Sequence, residues 1–600
     1  MTAGIRGILE QSSRVLKYVL LSVAILYVAA YGVVVFCRIQ YPFELEWMEG
    51  SVLIQVNRLL EGQGLYCKPS LEFIPYIYQP LYFYLASVAS YVFVPGFFGL
   101  RIISVLASLG SFSLIYLFVK RETGSTYTGI IATCLFAATF RIGGAWLDIG
   151  RVDSLFLFLS LAALYLIRFS TSGRLFVLAG ALIALAFLTK QTALLIFLPV
   201  LVHCFFCQRR RSLLLIGTAA LSIGLSVLIL DLIYDGWYSY YTLILPSQHS
   251  TIKSGYFGFW KEDIFSHLPI AIGCTLYFVI AISVRALDKV SSFYVSFAVG
   301  MIGASWVGRL NRGGYNNVLL PAYAGIAILF GLGLYALLNS TSVGSRGYFS
   351  LIHMGIYSLC IVQFAILFYN PVDQIPTPQD LEVGHRLVNM IIQQEGDVLV
   401  PRAPYLCEKA GKAGNFHVMA LGELLAWFGG DARGTGVRLR NELGAAIMER
   451  RFGAIISSSD WLRDDIEQYY DKTDLELPKG AFYPVTGMHT RPKYLYTPTS
   501  DPIQTSVGYI ELYVQPAKDD VWAVVQWQDT QGNWHNVEAW QGRIDHGLQV
   551  WGVLPSEFGK GPFRWIIQQS RQGALVGSSD PFCLPLHDKE SIKVEVTVGQ

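Results

Sequence analysis

Apolar stretches of about the length needed to cross a bilayer recur through the first 370 residues, and they constrain the fold more than any other feature. A helical crossing needs about 20 mainly apolar residues. Eleven stretches approach that requirement: near 18–37, 100–119, 125–146, 153–168, 174–189, 191–207, 212–234, 266–284, 290–307, 317–338 and 347–369. A shorter run, Leu81 to Val94, follows Pro80 and stops at Pro95, which suits a helix lying in the interface. Composition agrees, with 53% hydrophobic and 15% charged residues, against about 25% charged in soluble domains. The net charge of +2 and the lack of a long basic block exclude nucleic acid as a partner on electrostatic grounds.

Lys and Arg in short loops set the orientation. With the N-terminus cytoplasmic, the inner loops hold Lys120 and Arg121, Arg168 and Arg174, Arg209 to Arg211, Arg285 and Lys289, and Arg346. Counting residues 81–94 as a crossing would place Arg209 to Arg211 outside, so that count is rejected. The first run, Tyr18 to Cys37, lacks a small-residue cleavage site and reads as a retained anchor. Cys204 and Cys207 have metal-site spacing without a second pair, and the cysteines inside apolar runs read as packing residues. Cys67, Cys407 and Cys583 fall on the outer side, where disulfides are permitted.

Eleven crossings leave the chain after about residue 370 outside the cytoplasm, and its character changes there. Residues 371–490 alternate helix-like and strand-like patterns (Leu381 to Gln394, Asp397 to Pro401, Val418 to Phe428, Gly453 to Ser457), as in a small α/β domain. Residues 491–600, from about Tyr494, carry short alternating runs separated by turn residues, as in a β-sandwich. Trp527, Trp534, Trp540 and Trp551 are candidates for stacking on sugars, or for the sandwich core.

Five outward loops collect ionisable residues at span mouths, where charges are costly and generally face a cavity or a partner. The first carries Glu44, Glu46 and Glu49, then Tyr78 in an aromatic-proline stretch. The second carries Asp148, Arg151 and Asp153, and the third Lys190 and Gln191. His249 lies on the fourth, and the fifth holds Arg309, Arg312, Tyr315, Asn316 and Asn317. Two arginines with no acid between them, beside Gly313 and Gly314, suit an anion such as a phosphate. Moving a sugar from a phosphate to a hydroxyl needs a base near the hydroxyl and cations near the departing phosphate. Glu49 and Glu46 are the candidate bases, and Asp153 a candidate to orient the acceptor. Arg309, Arg312, Lys190 and His249 are candidates to hold the phosphate. The bland alternative is that such cations snorkel to headgroups and that the three acids form a solvated face.

Together these motifs resemble the GT-C superfamily of integral-membrane glycosyltransferases, especially the protein O-mannosyltransferase and aminoarabinose-transferase branch. Met48-Glu49-Gly50 stands at that family's acidic motif and Tyr78-Gln79-Pro80-Leu81 at its aromatic-Pro-Pro-Leu segment. Arg151-Val152-Asp153 is similar to its Arg-x-Asp segment, and Lys190 and Gly314-Tyr315-Asn316-Asn317 to later motifs. The sequence departs from the pattern at Met48 and Gln79, which leaves both Glu49 and Glu46 as candidate bases. The resemblance implies an inverting transfer from a polyprenyl-phosphate sugar to a glycan, lipid or protein acceptor, at the outer face of a bacterial inner membrane. Some relatives with pyrophosphate carriers use a divalent cation, which the clustered acids would permit. The competing class is a transporter or flippase of lipid-linked saccharides, against which the sequence shows no internal repeat. A receptor with an inert anchor would have no need of charges at span mouths.

Overall fold

The computed structural model describes residues 3–598 apart from 94–95, 286–287, 341–345, 429–433, 460–461, 500–507, 517–520, 545–546, 554–556, 571–572 and 588–589. Every one of the eleven apolar stretches contains a helix. These are α1 (Ala3–Arg38), α4 (Phe97–Thr123), α5 (Thr126–Ala138), α6 (Asp153–Phe169), α7 (Gly173–Phe187), α8 (Ala193–Cys207) and α9 (Arg209–Ile233), then α10 (Pro269–Arg285), α11 (Lys289–Leu310), α12 (Leu320–Ser340) and α13 (Arg346–Ile366). Between α1 and α4 lie α2 (Glu49–Leu60) and α3 (Leu81–Val92). The expected end of the α3 run at Val94 and Pro95 lies outside the described residues.

The expectation of eleven full-length crossings does not follow from helix length. Among the described residues, six helices are long and apolar enough to cross alone, and the bent pair 255–265 with 269–283 makes a seventh. Helix α5 has 13 residues, α7 and α8 have 15 each, and α6 has 17. At 1.5 Å per residue, α5 is only about 20 Å long, short of a hydrocarbon core of about 30 Å. The shortening has one location. Helices α5 and α6 flank the loop 139–152, and α7 and α8 flank 188–192. Non-helical backbone is tolerated at membrane depth only where protein buries it or a cavity takes it up. Both loops border the cavity described below, and Ala145 to Val152 are buried.

Helix α12 is the centre of the bundle, with 89% of its apolar window buried, against 11% for α9. Leu221, Leu225, Leu228, Ile229 and Leu232 of α9 point outward, a surface that needs lipid as its solvent.

Residues 1–432 and 439–498 form one compact unit, and residues 433–438 with 499–600 form a second. The α/β segment expected as a separate domain over 371–490 thus packs in the first unit. Its helix α14 (Pro378–Gln393) opens with a capping box between Thr377 and Asp380. Its sheet has the order β1-β2-β4-β3, from β1 (Asp397–Leu399), β2 (Phe452–Ser457), β3 (Tyr470–Asp474) and β4 (Tyr494–Pro498). Tyr494 was expected to open the sandwich. Instead β4 closes this sheet, pairing antiparallel with both β2 and β3. Thr377→Ala removes the cap and is expected to lower stability by about 1 kcal/mol, read as a small drop in the thermal midpoint with activity retained.

The described residues of the second unit form two sheets. One is β10-β9-β6-β7, from β6 (Trp522–Gln528), β7 (Trp534–Arg543), β9 (Phe563–Gln568) and β10 (Leu575–Ser578). The other is β11-β5-β8, from β5 (Gly508–Gln515), β8 (Leu548–Val553) and β11 (Ser591–Thr597). Trp565 is fully buried and stacks on Trp551 at 4.4 Å. Trp540 packs on Phe563, Arg564 lies over Trp534, and Trp527 is exposed beside His535. Each of the four candidate sugar-stacking tryptophans therefore already has a packing partner, and of these rings only Trp527 is classed as exposed.

Candidate active site

One cavity of about 410 Å³ in the first unit gathers Glu46, Tyr78, Arg151, Lys190, Gln191, His249 and Tyr315 from five separate loops. Its walls are mostly aromatic and apolar, with Trp47, Met48, Tyr76, Trp146, Met419 and Met488 beside the polar groups. Arg151 is its electrostatic hinge: Nη1 donates to Glu46 Oε2 at 2.5 Å and Nη2 to the Tyr78 hydroxyl at 2.6 Å. Burial pushes the Glu46 carboxyl up to about 7; Arg151 opposes this shift and the neighbouring Glu49 adds to it. Burial likewise pushes the Tyr78 hydroxyl up to about 12, so it remains a donor or acceptor and not an anion. Carboxylates that titrate near neutral pH suit proton transfer, because both protonation states are populated.

Glu49 is in a different situation. It lies at the N-terminus of α2, is fully buried and does not line the cavity. Arg101 at the start of α4 grips it with Nε to Oε1 at 2.9 Å and Nη2 to Oε2 at 2.8 Å. The backbone N–H groups of Gly150 and Leu45 complete the shell at 2.7 and 2.8 Å. With four donors on two oxygens, Glu49 ties the first loop to the second. Asp148 is occupied in the same way. Arg38, the last residue of α1, donates to both of its oxygens, the Nε to Oδ2 bond measuring 2.5 Å, and also donates to the carbonyls of Ala145 and Gln374.

Asp153 borders a narrow extension of the cavity together with Lys190 and Asn317. Its Oδ1 accepts from Lys190 Nζ at 2.6 Å and Asn317 Nδ2 at 3.0 Å, and its Oδ2 from Trp146 Nε1 at 2.8 Å. It therefore arranges three cavity residues, and its lone pairs are largely taken. The fifth loop contributes through backbone and small residues: Gly308, Asn311, Gly313 and Gly314 line the cavity with Tyr315 and Asn317. Neither Arg309 nor Arg312 lines it. Arg309 is paired with Asp263 at 2.9 Å and donates to the Gly314 carbonyl, so it holds the loop. Arg312 is exposed, and its backbone N–H donates to the Ser250 carbonyl. Asn316 is also outside the lining, where its neighbour Asn317 takes the place.

Sequence reading missed Arg38 and Arg101, which at the ends of apolar runs look like residues reaching for headgroups. It also missed the α/β segment's share. Met419, Glu423, Gly487 and Met488 line the cavity, and Glu423 Oε2 meets His249 Nε2 at 2.6 Å. Behind them His417 is buried against Trp47 and Tyr76. Its Nδ1 accepts from the Met419 N–H, and Nε2 faces the Arg402 carbonyl at 3.2 Å. That pattern fits a neutral ring, and burial drops its pKa to about 3. Among the described residues, no group of three or more His, Cys, Asp or Glu side chains can hold a metal ion.

The fold, a helical body followed by strand-rich segments, is similar to that of solved integral-membrane glycosyltransferases of the GT-C type. Residues 75–234 match the profile of the dolichyl-phosphate-mannose-protein mannosyltransferases. That stretch contains Tyr78, Arg151, Asp153 and Lys190 but not Glu46. Among solved structures, the chain is similar to ArnT from Cupriavidus metallidurans bound to undecaprenyl phosphate. The TM-score is 0.51 at 12% identity, over 80% of this chain and 98% of that one. It also matches an oligosaccharyltransferase of Archaeoglobus fulgidus, solved with a tethered acceptor peptide, with a TM-score of 0.45 at 11% identity over 96% and 99% of the two chains. No curated protein sequence matches the chain.

Proposed function

We propose that this chain is a membrane glycosyltransferase that moves a sugar from a polyprenyl-phosphate donor to an acceptor hydroxyl at the extracytoplasmic face of a bacterial inner membrane. The observation that carries the reading is the meeting, in one aromatic cavity, of a carboxylate poised near neutral pH with Arg151 and Lys190. The likeness to ArnT, solved with undecaprenyl phosphate, supports the donor class.

In this reading Glu46 takes the proton of the acceptor hydroxyl as its oxygen bonds to the anomeric carbon. The bond from that carbon to the phosphate oxygen breaks, and polyprenyl phosphate departs with the electron pair. Lys190 and Arg151 face the charge that builds on the phosphate. Asp153 aims Lys190 through their hydrogen bond, and Trp146 and Tyr315 offer ring faces to the sugar. Asp153 and Glu49 are held by three and four donors, so neither is open to act as a nucleophile beside Glu46. A single displacement with inversion is the simplest step consistent with that.

The test is to purify the protein in detergent, incubate it with polyprenyl-phosphate sugars and follow released polyprenyl phosphate by mass spectrometry. Lys190→Ala is expected to weaken polyprenyl-phosphate binding about 10- to 100-fold, as loss of a charge-assisted hydrogen bond implies. Unchanged affinity would remove Lys190 from the phosphate site. For the orientation, a cysteine replacing exposed Lys253 should react with an impermeant thiol reagent added outside intact cells, and one replacing Arg210 should not. The opposite labelling would place the cavity on the cytoplasmic side.

A further inference from the structure

The loop Thr486–Met488 of the α/β segment lies directly on the Glu46 loop. Thr486 forms an isolated parallel bridge with Glu46, and its N–H donates to the Leu45 carbonyl at 3.2 Å. Its hydroxyl stands 3.5 Å from that of Tyr315, so the same turn touches both the first and the fifth loops. Gly487 follows with φ +82°, in the left-handed region that favours glycine. A Cβ there would meet Trp47 Cδ1 at 2.5 Å, Glu46 Oε1 at 2.8 Å and Glu46 Cγ at 3.2 Å. The Glu46 carboxylate is thus held between two walls, Arg151 on Oε2 and the Gly487 backbone beside Oε1.

We infer that Gly487 is a positioning residue for Glu46: the loop approaches so closely that only a residue without a side chain leaves the carboxylate seated on Arg151 and facing the cavity. The inference rests on the reading of Glu46 as the base. The α/β segment then completes the active site as well as covering it, because its backbone lies beside Glu46 Oε1. A methyl group at 487 has to push either the indole of Trp47 or the acid itself. A displacement of about 1 Å at a reacting group is enough to cost about 100-fold in rate.

The experiment compares Gly487→Ala with Gly480→Ala. Gly480 has the same backbone conformation, φ +81°, but nothing within 4 Å of its Cβ position, so it separates backbone strain from crowding. Gly487→Ala is expected to bind polyprenyl phosphate like the parent, to lose about 10- to 100-fold in kcat, and to move the acidic limb of the kcat–pH profile upward from about 7, because the Arg151 contact that holds the Glu46 carboxyl down is loosened. Gly480→Ala is expected to keep both kcat and the limb. An unchanged kcat and limb in Gly487→Ala, or equal losses in the two variants, overturns the inference. Glu46→Gln in the same assay separates the levels. If it stays active, the base assignment falls and takes this inference with it. If it is inactive while Gly487→Ala behaves as the parent, only the positioning role falls. Should Gly487→Ala not be recovered folded, the double variant Trp47→Ala/Gly487→Ala, measured against Trp47→Ala, leaves Glu46 as the close obstacle; identical kcat and pH limb in that pair would overturn the inference.

Discussion

Glu46→Gln is expected to lower kcat by roughly 10²- to 10⁴-fold, the range for removing a general base, with little change in polyprenyl-phosphate affinity. Glutamine preserves the shape against Arg151 and Gly487 but has no charge with which to take a proton. Its loss should therefore fall on the chemical step and not on ground-state binding. The pH profile supplies a second readout. Glu46 must be ionised to act, and its carboxyl titrates near 7, so kcat of the parent should rise as pH increases through that value. Rates come from released polyprenyl phosphate and affinities from a separate binding titration. Full turnover in Glu46→Gln, or a loss confined to binding, would end the assignment.

Arg101→Ala is expected to cost about 3–5 kcal/mol, the range for breaking a buried ion pair by removing one partner. Both side chains of the Arg101–Glu49 pair are fully buried. Removing the guanidinium also takes a donor from the carbonyls of Arg38, Tyr41 and Phe43, all of which it bonds. Arg451→Ala breaks a pair that is 41% and 57% exposed and should cost about 1 kcal/mol or less. Thermal unfolding of both variants in the same detergent makes the comparison. Equal small shifts would mean that the Glu49 cluster does not hold the loops as described. Glu49→Gln should share the stability loss, which distinguishes a framework acid from the base.

The acidic motif shows how far sequence reading reaches. Glu44, Glu46 and Glu49 fall within six positions, and nothing local ranks them. Distant cations separate them: Arg101 saturates Glu49, whereas Arg151 meets Glu46 through one oxygen and leaves it at the cavity wall. The fifth loop teaches the converse. Its arginines stood out as anion ligands, yet Arg309 spends its guanidinium on Asp263 and the Gly314 carbonyl, and it is the glycines and Asn317 that reach the cavity. Glycine at 487 carried no visible signal, because its role depends on a loop more than 400 residues away in the chain.

The sequence alone determined that the chain is a helical membrane protein, where its apolar helices lie and which loops carry the ionisable groups, since hydrophobic length and charge placement are local properties that the bilayer reads directly. Only the tertiary structure decided which of those groups are consumed in buried pairs and which face open space. That choice depends on distances between loops far apart in sequence, and on how many donors reach each carboxylate once water has been excluded.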